Sequence, residues 1–359
     1  MLWRMGMFIA LFTLGCGRGY QATTAANSTA LAAPVDQGVA EPPTPHMEAA
    51  GNQPATGFCS KLDFADLSWP ATVQSQHHEA LALALNISGS FEGHNGWQNL
   101  TNNFDGQGLS YGLLNQCLGQ GSLQPLLIKM RDRYPEQLGS TVEASRKGSL
   151  LGMLKQWESF TGVAGLPELS DYGLSALDEP EDVRQIVGYD PAEVFHIQLL
   201  RKNQLSVDWA VSTLYNGSSF KPNWKTELKA LAQTPGYRSL QVEAATRIHL
   251  SALRLFKHFQ LNELRSYLFF FDIVVQNGGL PDSDIQYLDA RFRANPSLSE
   301  TTKLNEILTR RLTHVKAIYR EDVRSRKKSL INGTGVVHGG NRNYAKEFCA
   351  NLRSKVPQN

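Results

Sequence analysis

The sequence predicts a mainly α fold (α+β) with a small β-hairpin sheet set at a cleft, and three observations predict it. From His78 onward most of the chain falls into helix-length segments with apolar residues recurring at helical spacing, among them Thr141–Phe160, Pro191–Tyr215, Ser239–Phe259 and Leu261–Asn277. One stretch, Phe91–Leu127, breaks that pattern with glycines at 93, 96, 106, 108, 112, 119 and 121 separated by short, β-compatible residues, as tight hairpins require. Within Leu261–Asn277, the run Tyr267-Leu268-Phe269-Phe270-Phe271-Asp272-Ile273-Val274-Val275 is apolar on every face except at Asp272, which marks a long helix buried in the middle of a domain.

The element that positions chemistry is His78–Leu85, an apolar helix start that ends as glycines follow, leaving Glu92 at its lip. Thirteen positions further on, Asp105 opens Asp105-Gly106-Gln107-Gly108, the edge of a predicted hairpin. Two carboxylates presented this way suit cleavage of a glycosidic bond. One, held protonated in a half-apolar setting between Phe91 and Trp97, hands its proton to the leaving oxygen; the other stays ionised to activate water. Glu92 is read as the acid and Asp105 as the base, with Trp97, Gln107, Ser110, Tyr111, Gln116, Gln276 and Asn277 as residues that meet the sugar. Asp272, costly to bury alone, must have a partner such as Arg247 and would support the cleft from behind.

The order Glu92…Asp105-Gly106-x-Gly108-x-Ser110-x-Gly112, followed by the Gly119-Gln120-Gly121 turn, resembles the lysozyme-like superfamily, and most closely its family-46 chitosanase branch. Gly112-Leu113-Leu114-Asn115-Gln116 is similar to the Gly-Leu-Met-Gln hairpin of lytic transglycosylases and goose-type lysozymes. Phe270–Gly279 and Asp322–Gly339 resemble two further chitosanase segments, so the likeness covers roughly residues 79–339. It implies a two-lobed helical domain with the cleft at the hairpin sheet, a helix-terminal glutamate as general acid and a hairpin aspartate as general base. The substrate class it implies is a β-1,4-linked amino-sugar polymer, peptidoglycan or chitosan/chitin, with inversion or retention left open. The alternative is a non-catalytic glycan-binding envelope lipoprotein that keeps the fold.

The first 16 residues carry one positive charge, Arg4, a short apolar run, Met5–Leu14, and small residues ending at Cys16, the pattern of an export signal. Cys16 is either the acylated residue of a lipoprotein or is removed with the leader. Residues 17–56 are rich in Ala, Thr, Gly and Pro and read as a disordered tether, leaving residues 57–359 as one catalytic domain that is periplasmic or secreted. In such an oxidising compartment Cys59 and Cys349, near the two ends of the folded part, can pair, leaving Cys117 a buried thiol; Cys59–Cys117 is the competing pairing.

Composition narrows the partners. With 35 basic against 33 acidic residues, net +2, the chain is not a nucleic-acid binder by charge, and a polycation such as chitosan would suit a more acidic protein. Thr301–Ser329 reads as one last helix whose Arg310, Arg311, Lys316, Arg320, Arg324, Arg326, Lys327 and Lys328 form a solvated basic face, and His338 beyond it is a minor cleft candidate. His77-His78-Glu79 lacks the spacing of a metal site, and no phosphate-cradling or dinucleotide loop is present. The expectation is a monomer that uses neither metal nor cofactor.

Overall fold

A computed structural model of the chain describes residues 57–162 and 191–357. The export signal, Cys16, the tether and the acidic Pro167–Pro180 stretch lie outside the described residues. In chain order the elements are α1 (His78–Glu92), the strands β1 (Leu100–Thr101), β2 (Ser110–Tyr111) and β3 (Gln116–Cys117), then α2 (Gln124–Arg133), α3 (Pro135–Thr141), α4 (Ala144–Glu158) and α5 (Pro191–Leu214). A short hairpin, β4 (Tyr215–Asn216) and β5 (Ser219–Phe220), leads to α6 (Pro222–Gln233), α7 (Pro235–His258), α8 (Leu264–Asn277), α9 (Asp282–Arg293), α10 (Glu300–Leu312) and α11 (Arg320–Asn332). A second hairpin, β6 (Thr334–Val337) and β7 (Gly340–Asn343), and the short α12 (Tyr344–Phe348) complete it. The described chain is thus mainly helical with small antiparallel sheets, as its periodicity predicts.

Apolar side chains collect in two cores. One gathers α1, α8, the inner faces of α9, α10 and α11, and the C-terminal half of α7; the other gathers Leu109, just before β2, and the sheet residue Tyr111 with α2 to α6. Helix α7 serves both, giving Tyr237 and Leu240 to the second core and Val242, Ile248 and Phe256 to the first. The helix that joins the cores is therefore α7. The predicted central helix begins at Leu264, three residues later than its sequence pattern suggests, and all of Arg265–Val275 is buried within the first core. The expected single helix Thr301–Ser329 is instead α10 and α11, separated at Thr313–Tyr319.

Helix α1 runs through Gly89 to Glu92 because the glycine is needed where it stands. A Cβ there would lie 2.3 Å from Leu113 Cδ1, so only glycine lets the β2–β3 turn pack onto the helix. From the other side Gln241 of α7 accepts a hydrogen bond from the Leu113 amide at 2.6 Å. The sheet pairs in order β1-β2-β3, with Leu100 opposite Tyr111 and Ser110 opposite Cys117. Asp105 does not lie in a strand but ends a short 3-10 turn, Asn103–Asp105, between β1 and β2.

The two ends of the described chain are joined. Cys59 and Cys349 form the expected disulfide, with Cα atoms 5.2 Å apart, and Cys59 N–H donates to Phe348 O. Cys117, expected as a thiol, is not a free cysteine. Nearby, His249 of α7 is buried against the Tyr267 hydroxyl, 2.7 Å from its Nδ1. Burial, then the charges of His77 and His78, push its pKa down to about 4. The unfolded chain therefore takes up a proton near pH 6.5 that the folded chain refuses until about pH 4. Stability should fall across that window by up to about 3 kcal/mol as pH drops. Urea unfolding at a series of pH values checks it, and His249→Gln should flatten the slope.

Candidate active site

Glu92 is the last residue of α1, where the helix must end because Gly93 adopts an extended conformation at φ 170°. Its carboxylate is nearly buried, at 7 % exposure, and its two oxygens have different neighbours. Oε2 accepts from Asn115 Nδ2 at 3.3 Å, and the same amide donates to the Glu92 main-chain oxygen at 3.0 Å. Oε1 lies 2.9 Å from Arg326 Nη1 as an ion pair without an aligned hydrogen bond. Asn115 reaches that position from the β2–β3 turn with φ +48°, a left-handed conformation that asparagine tolerates better than most residues.

Arg326 is fixed in turn. Its Nη2 donates to Asp272 Oδ1 at 2.6 Å, and its guanidinium lies over the Phe91 ring, 4.7 Å from the centroid. Arg342 lies over the same ring at 5.2 Å, so the residue before Glu92 is in cation–π contact with two guanidinium groups. Asp272, fully buried on α8, also receives the Lys327 ammonium, which further donates to the Asp272 main-chain oxygen at 3.1 Å. Burial alone would raise the Asp272 pKa, but the Arg326 and Lys327 charges outweigh it and hold the carboxyl far below the usual range. Burial would lower Arg326 too, yet Asp272 and Glu92 keep it firmly protonated. For Lys327 burial wins, bringing the ammonium down to about 8 despite Asp272.

Asp105 has a different setting. Its Oδ1 accepts the Gln107 amide at 3.1 Å, the Asx turn expected of Asp-Gly, and its side chain is only partly buried. It lies close enough to Tyr215 for its charge to add to the burial that raises that phenol's pKa. Tyr215 OH donates to Gly108 O at 2.6 Å and packs in the second core. Glu92 thus hangs from the first core and Asp105 from the edge of the second.

Several of the expected sugar contacts fall inside the protein instead. Trp97 is 3 % exposed, donates its indole N–H to Asp63 O, and meets Phe64 edge-on. Tyr111 is fully buried with its hydroxyl on Leu228 O, and Ser110 and Gln116 are buried beside it in the sheet. The glycine-spaced hairpin residues are buried in the sheet rather than turned to a cleft. Gln107 stays partly exposed, its amide oxygen turned toward Gly119. Gln276 is held by Asp322 and Lys327, and Asn277 keeps a buried Oδ1 without a hydrogen bond. Arg247 is not the partner of Asp272.

Asn115, Arg326 and Lys327 are the residues sequence reasoning missed. Arg326 and Lys327 are 3 % and 0 % exposed, so that part of the basic face points inward onto α8. Their signal was the lone Asp272 in an apolar run, which called for a cation without saying which. No protein-family model matches the chain, and no curated protein is significantly similar to it.

Proposed function

We propose that the chain is a lysozyme-like glycoside hydrolase that cleaves a β-1,4-linked amino-sugar polymer, peptidoglycan or chitosan/chitin, with Glu92 as proton donor and Asp105 as water activator. The observation that carries this reading is the nearly buried Glu92 carboxylate, held by Asn115 on one oxygen and by Arg326 on the other. A buried ion cluster is a poor way to gain stability compared with apolar packing, so an assembly of Glu92, Arg326, Asp272 and Lys327 at a helix end calls for another purpose. Asp272 binds the same guanidinium from Nη2, so Arg326 is fixed between two carboxylates and holds Glu92 in place.

In the proposed reaction Glu92 gives its proton to the glycosidic oxygen as the bond to the anomeric carbon breaks. Asp105 accepts a proton from the water that adds to that carbon, and a second water returns each carboxyl to its starting state. Arg326 then stabilises the Glu92 carboxylate left behind, an interaction stronger after proton transfer than before it. The polymer lies outside the cytoplasm, which agrees with an exported monomer on a 17–56 tether that is membrane-anchored where Cys16 is acylated. Near-zero net charge favours peptidoglycan over the polycation.

Reducing ends released from purified peptidoglycan and from chitosan test the reading. The wild type should release them from at least one polymer, and Glu92→Gln should lower the rate about 10²–10⁴-fold, the usual worth of a general acid. A Gln variant as active as wild type removes Glu92 from the role. A wild type that binds sacculi and cleaves neither polymer would instead support a glycan-binding envelope protein.

A further inference from the structure

A line of hydrogen bonds leaves the Glu92 cluster and ends at the surface. Lys327 Nζ donates to Gln276 Oε1 at 2.6 Å, Gln276 Nε2 donates to Asp322 Oδ2 at 2.6 Å, and His338 Nε2 lies 2.6 Å from Asp322 Oδ1. Inward, the same line passes from Lys327 to Asp272, then to Arg326, then to Glu92. Its outer members are open to water, with His338 at 50 % and Asp322 at 36 % side-chain exposure. His338 sits in the turn between β6 and β7 in the left-handed region, φ +51°, and the turn delivers its imidazole to α11. A non-glycine residue in that conformation carries a backbone cost that a purely decorative surface histidine would not need.

We propose that Asp322 and His338 are positioning residues that set the charge state of Glu92 from the protein surface. The charges that face one another along the line are three carboxylates, Glu92, Asp272 and Asp322, and two cations, Arg326 and Lys327, while Arg342, over the Phe91 ring, is itself paired with Glu347. His338 is the sixth titratable member of the line, Gln276 being the uncharged one. With an imidazolium at His338 the line from Glu92 to His338 carries no net charge. When the imidazole is neutral the line has one excess negative charge, and that excess favours the protonated form of Glu92. Asp322 also supports the ammonium of Lys327, one of whose neighbours it is, against the burial that weakens it.

The coupling predicts opposite signs for two exposed substitutions. Asp322→Asn removes a negative charge and should lower the ionisation midpoint of Glu92 by up to about one unit, the order of a single-charge interaction through a partly buried network at an effective dielectric near 20. His338→Asn removes the compensating positive charge and should raise the midpoint by a similar amount; asparagine tolerates the left-handed turn, so the hairpin survives. Titration of full-length, oxidised protein carrying carboxyl-¹³C glutamate, with the Glu92 resonance identified by its loss in Glu92→Gln, reads both directly.

The alkaline limb of the kcat–pH profile should move the same way in each variant, a consequence that rests on the hydrolase reading. The NMR midpoint does not rest on it. Opposite shifts in a chain that cleaves neither polymer leave the coupling standing and remove only the hydrolase. Midpoints that stay put, or that move in the same direction while only the melting temperature changes, overturn the coupling whether or not the chain is active.

Discussion

Asp272→Ala is expected to cost about 3–5 kcal/mol of stability, the penalty for leaving a buried charge without its partner. Here two cations lose their anion together, since Arg326 and Lys327 both converge on Asp272 and are 3 % and 0 % exposed. Lys327, already weakened to about 8 by burial, should give up its proton, while Arg326 cannot and must lean wholly on Glu92. The variant should therefore fall short in two measurements at once. Urea unfolding reads the lost stability, and if the proposed hydrolase reading holds, polymer cleavage should fall because Glu92 is left facing a guanidinium that has lost its other carboxylate. Pairing Asp272→Leu with Lys327→Met, which removes one charge of each sign, should restore part of the stability without restoring the rate.

Breaking the Cys59–Cys349 bond should be the other large effect. The bridge joins positions 290 residues apart. Closing so long a loop restricts the unfolded chain by roughly 5 kcal/mol in the chain-entropy account. Folded-state contacts add to this locally, because the entry segment it secures carries Asp63, whose carboxylate and main-chain oxygen both receive Arg238 at the second-core end of α7. A Cys59→Ser/Cys349→Ser variant should unfold at clearly lower urea than the oxidised wild type, and reductant should bring the wild type down at least as far. Equal midpoints with and without reductant would contradict this.

The features readable in the sequence were those with local causes. Apolar periodicity gave the helices, the glycine cluster gave the short sheet, and the glycines after Glu92 placed a carboxylate at a helix end. Side-chain direction was less readable, because it depends on what packs against each face. Trp97 and Tyr111 look like sugar platforms in a glycine-rich stretch, yet they are core residues once the sheet is covered by α6 and α7. Arg326 and Lys327 stand in a run of basic residues that reads as solvated, and nothing local says that these two turn inward while Arg324 stays out on Glu321. The break between α10 and α11 carries no proline or glycine at Thr313–Tyr319, so helical spacing alone bridged it. Asn115 escaped notice because its role arises only when the turn folds back onto Glu92 through the gap that Gly89 leaves.

The proposed proton-donor role of Glu92 has one direct structural test, a crystal structure of the full-length Glu92→Gln protein with a bound amino-sugar oligomer. The predicted result is a glycosidic oxygen about 2.6–3.2 Å from the residue-92 carboxamide, with Asn115 and Arg326 unmoved and Asp105 on the opposite side of the anomeric carbon. An oligomer bound away from α1, or one that leaves residue 92 sealed between Asn115 and Arg326 with no sugar oxygen in reach, would contradict it.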